Sequence, residues 1–277
     1  MVDSHPNAIS NHRHSGYALR VKLSVILITQ DEEANLATTL ESVMPLVRNG
    51  QGEIVVVDSG STDRTLEIAG SFGARVFSEP WKGFAAQKNS AMEKAIGDWI
   101  LQLDADESLE AALVREIETA LGASSAVQGY WIPRKNFFLG RWIRHGGFYP
   151  DPKLRLIRRG AGKFEEYGAH PTIKIEGRTG RLQHALVHNA YPTLRGYIEH
   201  MNSYSSSGAK VVNERGYRRF SVINIVLRPI LTFVYNYLIR LGFLDGREGL
   251  LLHLYHSVYV SWKYSKAWEL ARHDRET

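Results

Sequence analysis

The sequence predicts an α/β fold: an open sheet built from parallel βαβ units, followed by a mainly helical C-terminal appendage. Three observations carry this. Short apolar runs alternate with helix-period segments through the first half of the chain. Each run ends in polar, acid-rich residues. The texture then turns aromatic and basic after Gly129, and helical from Thr193 onward. Strands separated by helices imply parallel pairing with right-handed crossovers, and ligands of such sheets bind at the carboxyl ends of the strands.

Leu23 to Thr29 is a continuous apolar run, as expected for a strand buried on both faces. From Glu32 to Val47 the period becomes helical, with Leu36, Leu40, Val43 and Val47 on one face. Glu53 to Val57 is the second strand and ends at Asp58; Thr62 to Phe72 follows as a helix. Arg75 to Phe77, a helix over Gly83 to Ile96, the strand Trp99 to Leu103 and a helix over Leu109 to Leu121 complete the half. Beyond it, Gly129 to Pro133 and Thr172 to Ile175 read as strands. The expected division is a loose tail over 1–20, a catalytic unit over 21–192 with halves 21–128 and 129–192, and a helical region over 193–277.

Composition is that of a globular chain: 277 residues, 44% hydrophobic and 23% charged. There is no cysteine, which excludes disulfides and thiolate metal sites. The first twenty residues are polar, carry His5, His12 and His14, and contain no apolar stretch of the kind a signal peptide needs. The net charge of +5 is unevenly spread. Arg134, Lys135, Arg141, Arg144, Lys153, Arg155, Arg158 and Arg159 crowd a stretch whose only acid is Asp151. Such a region favours an anionic partner: phosphates, an acidic glycan or a membrane face. No nucleic-acid motif accompanies the charge, so nucleic acid is not expected as a partner.

Ser221 to Leu241 and Leu250 to Trp262 are rich in large apolar residues, but Arg228-Pro229, Asn236, His253 and His256 interrupt them. Neither offers the roughly 20 clean apolar residues of a spanning helix. With Arg218, Arg219, Arg240 and Lys263 at their flanks, they read as amphipathic helices lying at a membrane interface. Ordinary core helices are the alternative.

Chemistry concentrates at three strand ends. Asp104-Ala105-Asp106 sets two carboxylates one residue apart directly after an apolar strand. A hard divalent cation, Mn²⁺ or Mg²⁺, held by carboxylates and substrate phosphates suits that arrangement. Asp58-Ser59-Gly60-Ser61-Thr62-Asp63 ends the second strand and opens a helix; Asp58 can accept hydrogen bonds from a base or ribose. Ser61 to Asp63 also satisfy the demands of a turn and helix cap. Thr29-Gln30-Asp31-Glu32-Glu33 ends the first strand, and acids there complement the helix dipole. His145, His170, His184 and His188 lack a zinc spacing and read as packed or solvated.

These segments, with Gly83-Phe84-Ala85-Ala86-Gln87-Lys88-Asn89 and Asp98 to Glu107, stand in the order seen in family 2 glycosyltransferases. The chain further resembles the lipopolysaccharide-core glucosyltransferase subgroup through Pro80-Trp81-Lys82-Gly83-Phe84, Leu101 to Glu107, Asn136 to Ile143, Gly146 to Asp151 and Gly242 to Gly246. The likeness covers nearly everything from Leu23 to about Lys266. It implies a Rossmann-like sheet of the GT-A type, a nucleotide-sugar donor (UDP before others) and inversion at the anomeric carbon. It also implies a lipopolysaccharide or other anionic glycolipid acceptor, met by a protein on the cytoplasmic side, peripherally attached to the inner membrane.

By position in that family, Thr29 and Glu32 line the nucleotide pocket, Asp58 holds the base and Lys88 reaches the nucleotide. Asp104 and Asp106 face the diphosphate and are both metal-ligand candidates, Asp106 ahead of Asp104 as the direct ligand. An inverting transfer needs a general base on the acceptor hydroxyl. Relatives tend to carry Val-His-Glu where this chain has Ala169-His170-Pro171, so that carboxylate is absent. Asp151 is the replacement, with Glu165, Glu166 and His170 in reserve. A nucleotidyltransferase is disfavoured because Thr29 to Asn35 holds no glycine and no basic residue. A catalytically silent sugar-nucleotide or membrane-binding module is the remaining alternative.

Overall fold

The computed structural model describes residues 21–123, 126–167, 170–217 and 219–276. The N-terminal segment read as a tail, with His5, His12 and His14, lies outside them.

The first half runs β1 (Leu23–Thr29), α1 (Leu36–Val47), β2 (Gly52–Asp58), α2 (Thr65–Ser71), β3 (Arg75–Ser78), α3 (Phe84–Lys94) and β4 (Trp99–Gln102). β1 pairs in parallel with β2 on one side and β4 on the other, and β3 adds in parallel beyond β2. Successive residues of β1 serve opposite layers. Val25 and Leu27 join Leu36, Leu40 and Val43 of α1, whereas Ile26 joins Ala91 and Ala95 from the α3 side. Full burial of each such aliphatic side chain is worth about 1.5–3 kcal/mol.

Two helices begin later than the apolar period suggests, α1 at Leu36 rather than Glu32 and α2 at Thr65 rather than Thr62. Their would-be first turns clasp each other instead. Glu32 N–H donates to Thr65 Oγ1 (2.7 Å) and Glu33 N–H to Asp63 Oδ2 (3.0 Å). In return Thr62 N–H donates to Asp31 Oδ1 (2.7 Å) and Arg64 N–H to Glu33 Oε2 (3.1 Å). Asp31 takes a left-handed φ of 53° to make the exchange.

The second half continues as β5 (Glu107–Leu109), α4 (Ala111–Gly122), β6 (Val127–Ile132), β7 (Arg134–Phe138), β8 (Arg141–Trp142) and β9 (Lys153–Arg158). β10 (Gly162–Tyr167), β11 (His170–Ile175), β12 (Arg178–Arg181) and β13 (Leu186–Tyr191) follow. The main sheet has seven strands in the order β12-β6-β9-β4-β1-β2-β3. It therefore crosses the boundary expected at 128/129, and β9 enters it antiparallel to both β4 and β6. β5, β13, β7 and β8 form a second sheet, and β10–β11 a hairpin.

The chain ends in α5 (Leu194–Glu214), a helical rod, and α7 (Gly246–Glu276). The rod is π-helical over Ile223–Leu227, α-helical over α6 (Arg228–Phe233) and π-helical again over Val234–Ile239; a 3-10 turn at Gly242–Asp245 leads into α7. Thr193 caps α5 by accepting from Gly196 N–H at 3.1 Å. α5 packs along α7. Together with β7 they bury Phe138, Ile143, Tyr197, Met201 and Leu252.

Candidate active site

The carboxyl ends of β1, β2 and β4 lie side by side, with Thr29 in register with Asp58. Thr29 Oγ1 donates to Asp58 Oδ1 (2.9 Å), which also takes the Ser61 hydroxyl. Gly60 N–H and Ser61 N–H both donate to Asp58 Oδ2 at 2.9 Å. All four lone-pair positions of this fully buried carboxylate are thus used to shape its own loop. Burial acts to raise the Asp58 carboxyl, but these hydrogen bonds outweigh it and hold the group below its ordinary value.

Beyond β4 an alternating line of charges crosses the site. Lys88 Nζ, buried on α3, sits 2.6 Å from Asp104 Oδ1. Arg155 Nη2 from β9 donates to Asp104 Oδ2 (2.7 Å) and to Glu107 Oε1 (2.5 Å). Its Nη1 meets Gln102 Oε1. Arg134 Nη1 from β7 reaches the same Glu107 oxygen (3.2 Å), and its Nη2 is 2.6 Å from Asp151 Oδ2. Lys153 Nζ ends the line, 2.9 Å from Asp151 Oδ1. The antiparallel entry of β9, which pairs Leu156 with Leu101, is what brings Arg155 to the Asp104 end of β4.

Burial alone would raise the Asp104 carboxyl; Arg155 and Lys88 overcome it and hold the group well below the carboxylate range. Asp151 follows the same pattern. Burial opposes ionisation, Arg134 and Lys153 prevail, and its carboxyl is drawn down to about 2. Glu32 goes the other way: burial raises it, and the nearby charges of Asp106, Asp104 and Asp63 push in the same direction.

This network corrects the sequence-based view of the basic stretch. Arg134, Lys153 and Arg155 neutralise acids inside the site, and Lys135 pairs with Glu110 at 2.6 Å. Arg141 lies 3.8 Å from Glu248 and Arg158 stacks over Trp99. Much of that charge answers acids within the fold, while Arg141, Arg144 and Arg159 remain exposed.

Asp106 stands apart from the line. Its side chain is 26% exposed, and its Oδ2 lies 3.2 Å from His188 Nε2. The second sheet explains the placement, since β13 sets His188 in register with Glu107 of β5 and Asn136 of β7. Asn136 Nδ2 donates to the Phe148 carbonyl (3.1 Å), which only accepts, and to Asp151 Oδ2 (3.3 Å). Asn136 Oδ1 therefore faces His188 Nδ1 at 2.7 Å and takes its proton. With Nδ1–H so used, His188 Nε2 either donates to the Asp106 carboxylate as an imidazolium or, once deprotonated, stands beside it as a second acceptor. Two acceptors so placed suit a shared cation. Their separation is close to the about 3.0 Å between adjacent ligands of an octahedral ion with bonds of about 2.1 Å. A metal-bound histidine also characteristically donates its other N–H, as His188 does. Among the described residues no group of three or more potential ligands forms a complete metal cage. Asp106 and His188 would thus share the ion with substrate oxygens.

His188, which spacing reads as packed or solvated, is set beside Asp106 by sheet register, which sequence spacing does not carry. Tyr191 on β13 and Tyr204 on α5 wall the same region. Burial raises both phenols, and the Asp106 charge adds to each. Glu165 does not join the site. It pairs distantly with Lys174 (3.8 Å) on the hairpin, whose Phe164 is bonded through its backbone to Asn89 of α3. Glu166 and His170 are placed by backbone alone, on β10 and β11 opposite Pro171 and Tyr167.

A parallel sheet whose carboxyl edge gathers acids and a buried lysine, with an antiparallel strand inserted beside it, is the arrangement of the GT-A glycosyltransferase fold. The chain matches the family model for Glycosyl transferase family 2 over residues 24–178 and belongs to that family. Among its relatives is the lipopolysaccharide core biosynthesis glycosyltransferase LpsC of Rhizobium meliloti, 32% identical over 82% of this chain and 83% of that protein. An uncharacterized glycosyltransferase of Rickettsia typhi, RT0209, is 29% identical over 82% of this chain and 80% of its own length. The fold is shared with the mannosyltransferase PcManGT of Pyrobaculum calidifontis, solved with GDP-Man and Mn²⁺. That structure is 15% identical, with a TM-score of 0.55 over 91% of this chain and 88% of the other.

Proposed function

We propose that this protein is an inverting, cation-dependent hexosyltransferase that moves a sugar from a UDP-linked donor to a lipopolysaccharide-core or other lipid-linked glycan. It would work at the cytoplasmic face of the inner membrane, attached peripherally. The observation that carries the reading is the facing pair Asp106 Oδ2 and His188 Nε2, 3.2 Å apart at the strand ends. The relationship to LpsC supports the acceptor class. UDP rests on the resemblance of the motif segments, and GDP, bound by the Pyrobaculum enzyme, is the competing nucleotide.

In this reading Thr29, Glu32 and Asp58 line the nucleoside pocket. Because Asp58 is saturated by its own loop, a base gains its carboxylate only when the Ser61 or Thr29 hydroxyl turns away. Lys88 and Arg155 lie beside the diphosphate, with Asp104 holding both in place. A Mn²⁺ or Mg²⁺ ion held by Asp106 and His188 would neutralise the diphosphate as negative charge builds on it. Asp151 accepts the proton of the acceptor hydroxyl while that oxygen attacks the anomeric carbon. The bond from that carbon to the diphosphate breaks, and the diphosphate leaves with the electron pair. Arg134 and Lys153 keep Asp151 ionised but weaken it as a base, so acceptor binding must loosen one of these pairs.

The test is transfer from UDP-linked and GDP-linked hexoses to lipopolysaccharide-core oligosaccharide, with and without Mn²⁺. Cation-dependent transfer from a UDP donor is expected. Turnover unaffected by a chelator would contradict the role given to Asp106 and His188.

A further inference from the structure

The rod from Ile223 to Ile239 is turned inside out for a protein in water. Ile223, Leu227, Ile230, Leu231, Leu238 and Ile239 are each 47–67% exposed. The less exposed positions of the same rod include Asn224, Thr232 and Asn236. Its turn continues the apolar surface through Leu241, Phe243 and Leu244, all exposed. Contiguous apolar surface on this scale marks an interaction face.

Charge and length decide what covers it. From Arg215 to Leu244 the sequence holds five arginines and no acid. Asp245, the first acid beyond, is buried and bonded inward. An apolar face whose own segment carries arginines and no acid complements anionic lipid headgroups above an acyl layer. The 17 residues from Ile223 to Ile239 meet α7 at 75°, and no single described helix is long and apolar enough to cross a bilayer. Together the pair has the length and hydropathy of a broken span, but α7 is committed to packing along α5, which leaves the rod to lie in the plane of one leaflet.

The end of the rod is also bonded to the active-site side of the protein. Gly146 N–H donates to the Arg240 carbonyl at 2.9 Å. Arg144 N–H and His145 N–H donate to Asp245 Oδ2 at 3.1 and 2.8 Å. Both glycines of this loop have positive φ. An added Cβ would lie 2.0 Å from His253 Cε1 at Gly146 and 2.1 Å from Arg240 Nη1 at Gly147. Phe148, next in the loop, offers its carbonyl to Asn136, the amide that also orients His188 and touches Asp151.

We infer that residues 221–244 form an in-plane anchor for an anionic phospholipid surface, and that the loop 144–148 holds the acceptor side of the active site at headgroup level. This rests on the proposed transfer to a lipid-linked acceptor for its purpose, but not for its test.

The test is flotation of the full chain with vesicles of phosphatidylglycerol and phosphatidylethanolamine, and with vesicles of phosphatidylcholine. The protein should float with the first and largely remain behind with the second. Leu231→Asp with Leu238→Asp, both at exposed positions, should abolish flotation without lowering the melting temperature. Arg215→Gln with Arg219→Gln keeps the apolar face and should weaken binding about fivefold per arginine. No flotation of the wild-type chain overturns the inference. So does undiminished flotation of the leucine variant, or a wild-type dimer in solution that this variant dissociates, which would assign the face to a second copy. No step needs donor or acceptor, so a chain that floats yet transfers nothing refutes the proposed activity and leaves the anchor standing.

Discussion

Among the described residues Asp106 pairs with His188 alone, whereas Asp104 is clamped on both oxygens by Lys88 and Arg155. Asp106→Ala and His188→Ala should each lower transfer by about 10²-fold or more, the first with the melt unchanged and the second with a loss of about 1 kcal/mol for the hydrogen bond to Asn136. Equal turnover in either variant would remove that residue from the cation site. Glu107 is different in kind, being fully buried between Arg155 and Arg134. Glu107→Gln strands buried positive charge and should cost on the order of 3 kcal/mol in a urea melt. For Asp151 the sign follows from its depressed value of about 2, below the ordinary 3.8. Its ion pairs stabilise the fold above about pH 4, by on the order of 2 kcal/mol, and that contribution is lost as the pH falls through about 2. Asp151→Asn should melt earlier than wild type at pH 7, and the gap should narrow toward pH 3. In the transfer assay the same variant should keep donor binding and lose about 10²–10⁴ in rate.

At the scale of elements, the strands that carry the donor edge were legible because β1, β2 and β4 are buried on both faces and read as apolar runs. Of the later strands, β6 and β11 were read within Gly129 to Pro133 and Thr172 to Ile175, but β7 and β9 were not. β9 mixes basic with apolar residues in Lys153-Leu154-Arg155-Leu156-Ile157-Arg158, β7 opens on Arg134-Lys135, and the basic residues read as surface charge. Their partners, Glu107 and Asp151, lie 48 and 17 residues away in sequence, so pairing is settled by sheet register and invisible to local pattern. The late starts of α1 and α2 were hidden for a similar reason: the first-turn amides are satisfied by a neighbouring loop about 30 residues distant. The Asp104-Ala105-Asp106 segment was legible from position alone, and His188 was not. The loop 144–148 gives a prediction at this scale. Gly147→Ala places a Cβ against the Arg240 guanidinium at a φ of +89° and should destabilise the fold by about 1–3 kcal/mol.

For the molecule as a whole, the donor half, the second sheet and the C-terminal helices meet at one edge. β4 and β5 bracket the paired aspartates, β13 supplies His188, and Tyr204 of α5 senses the Asp104 and Asp106 charges. The helical region, expected as an appendage, packs α5 against the second sheet, where Tyr197 meets Phe138 and Tyr191. The central claim is that this edge binds a nucleotide-sugar together with a divalent cation. Titration calorimetry with UDP and GDP, each with Mn²⁺ or with a chelator, tests it on wild type, Asp106→Ala and His188→Ala. The account predicts tight binding of UDP to wild type only with Mn²⁺ present, and loss of that Mn²⁺ dependence in both variants. Binding that is indifferent to the cation, or equally cation-dependent in both variants, would contradict it.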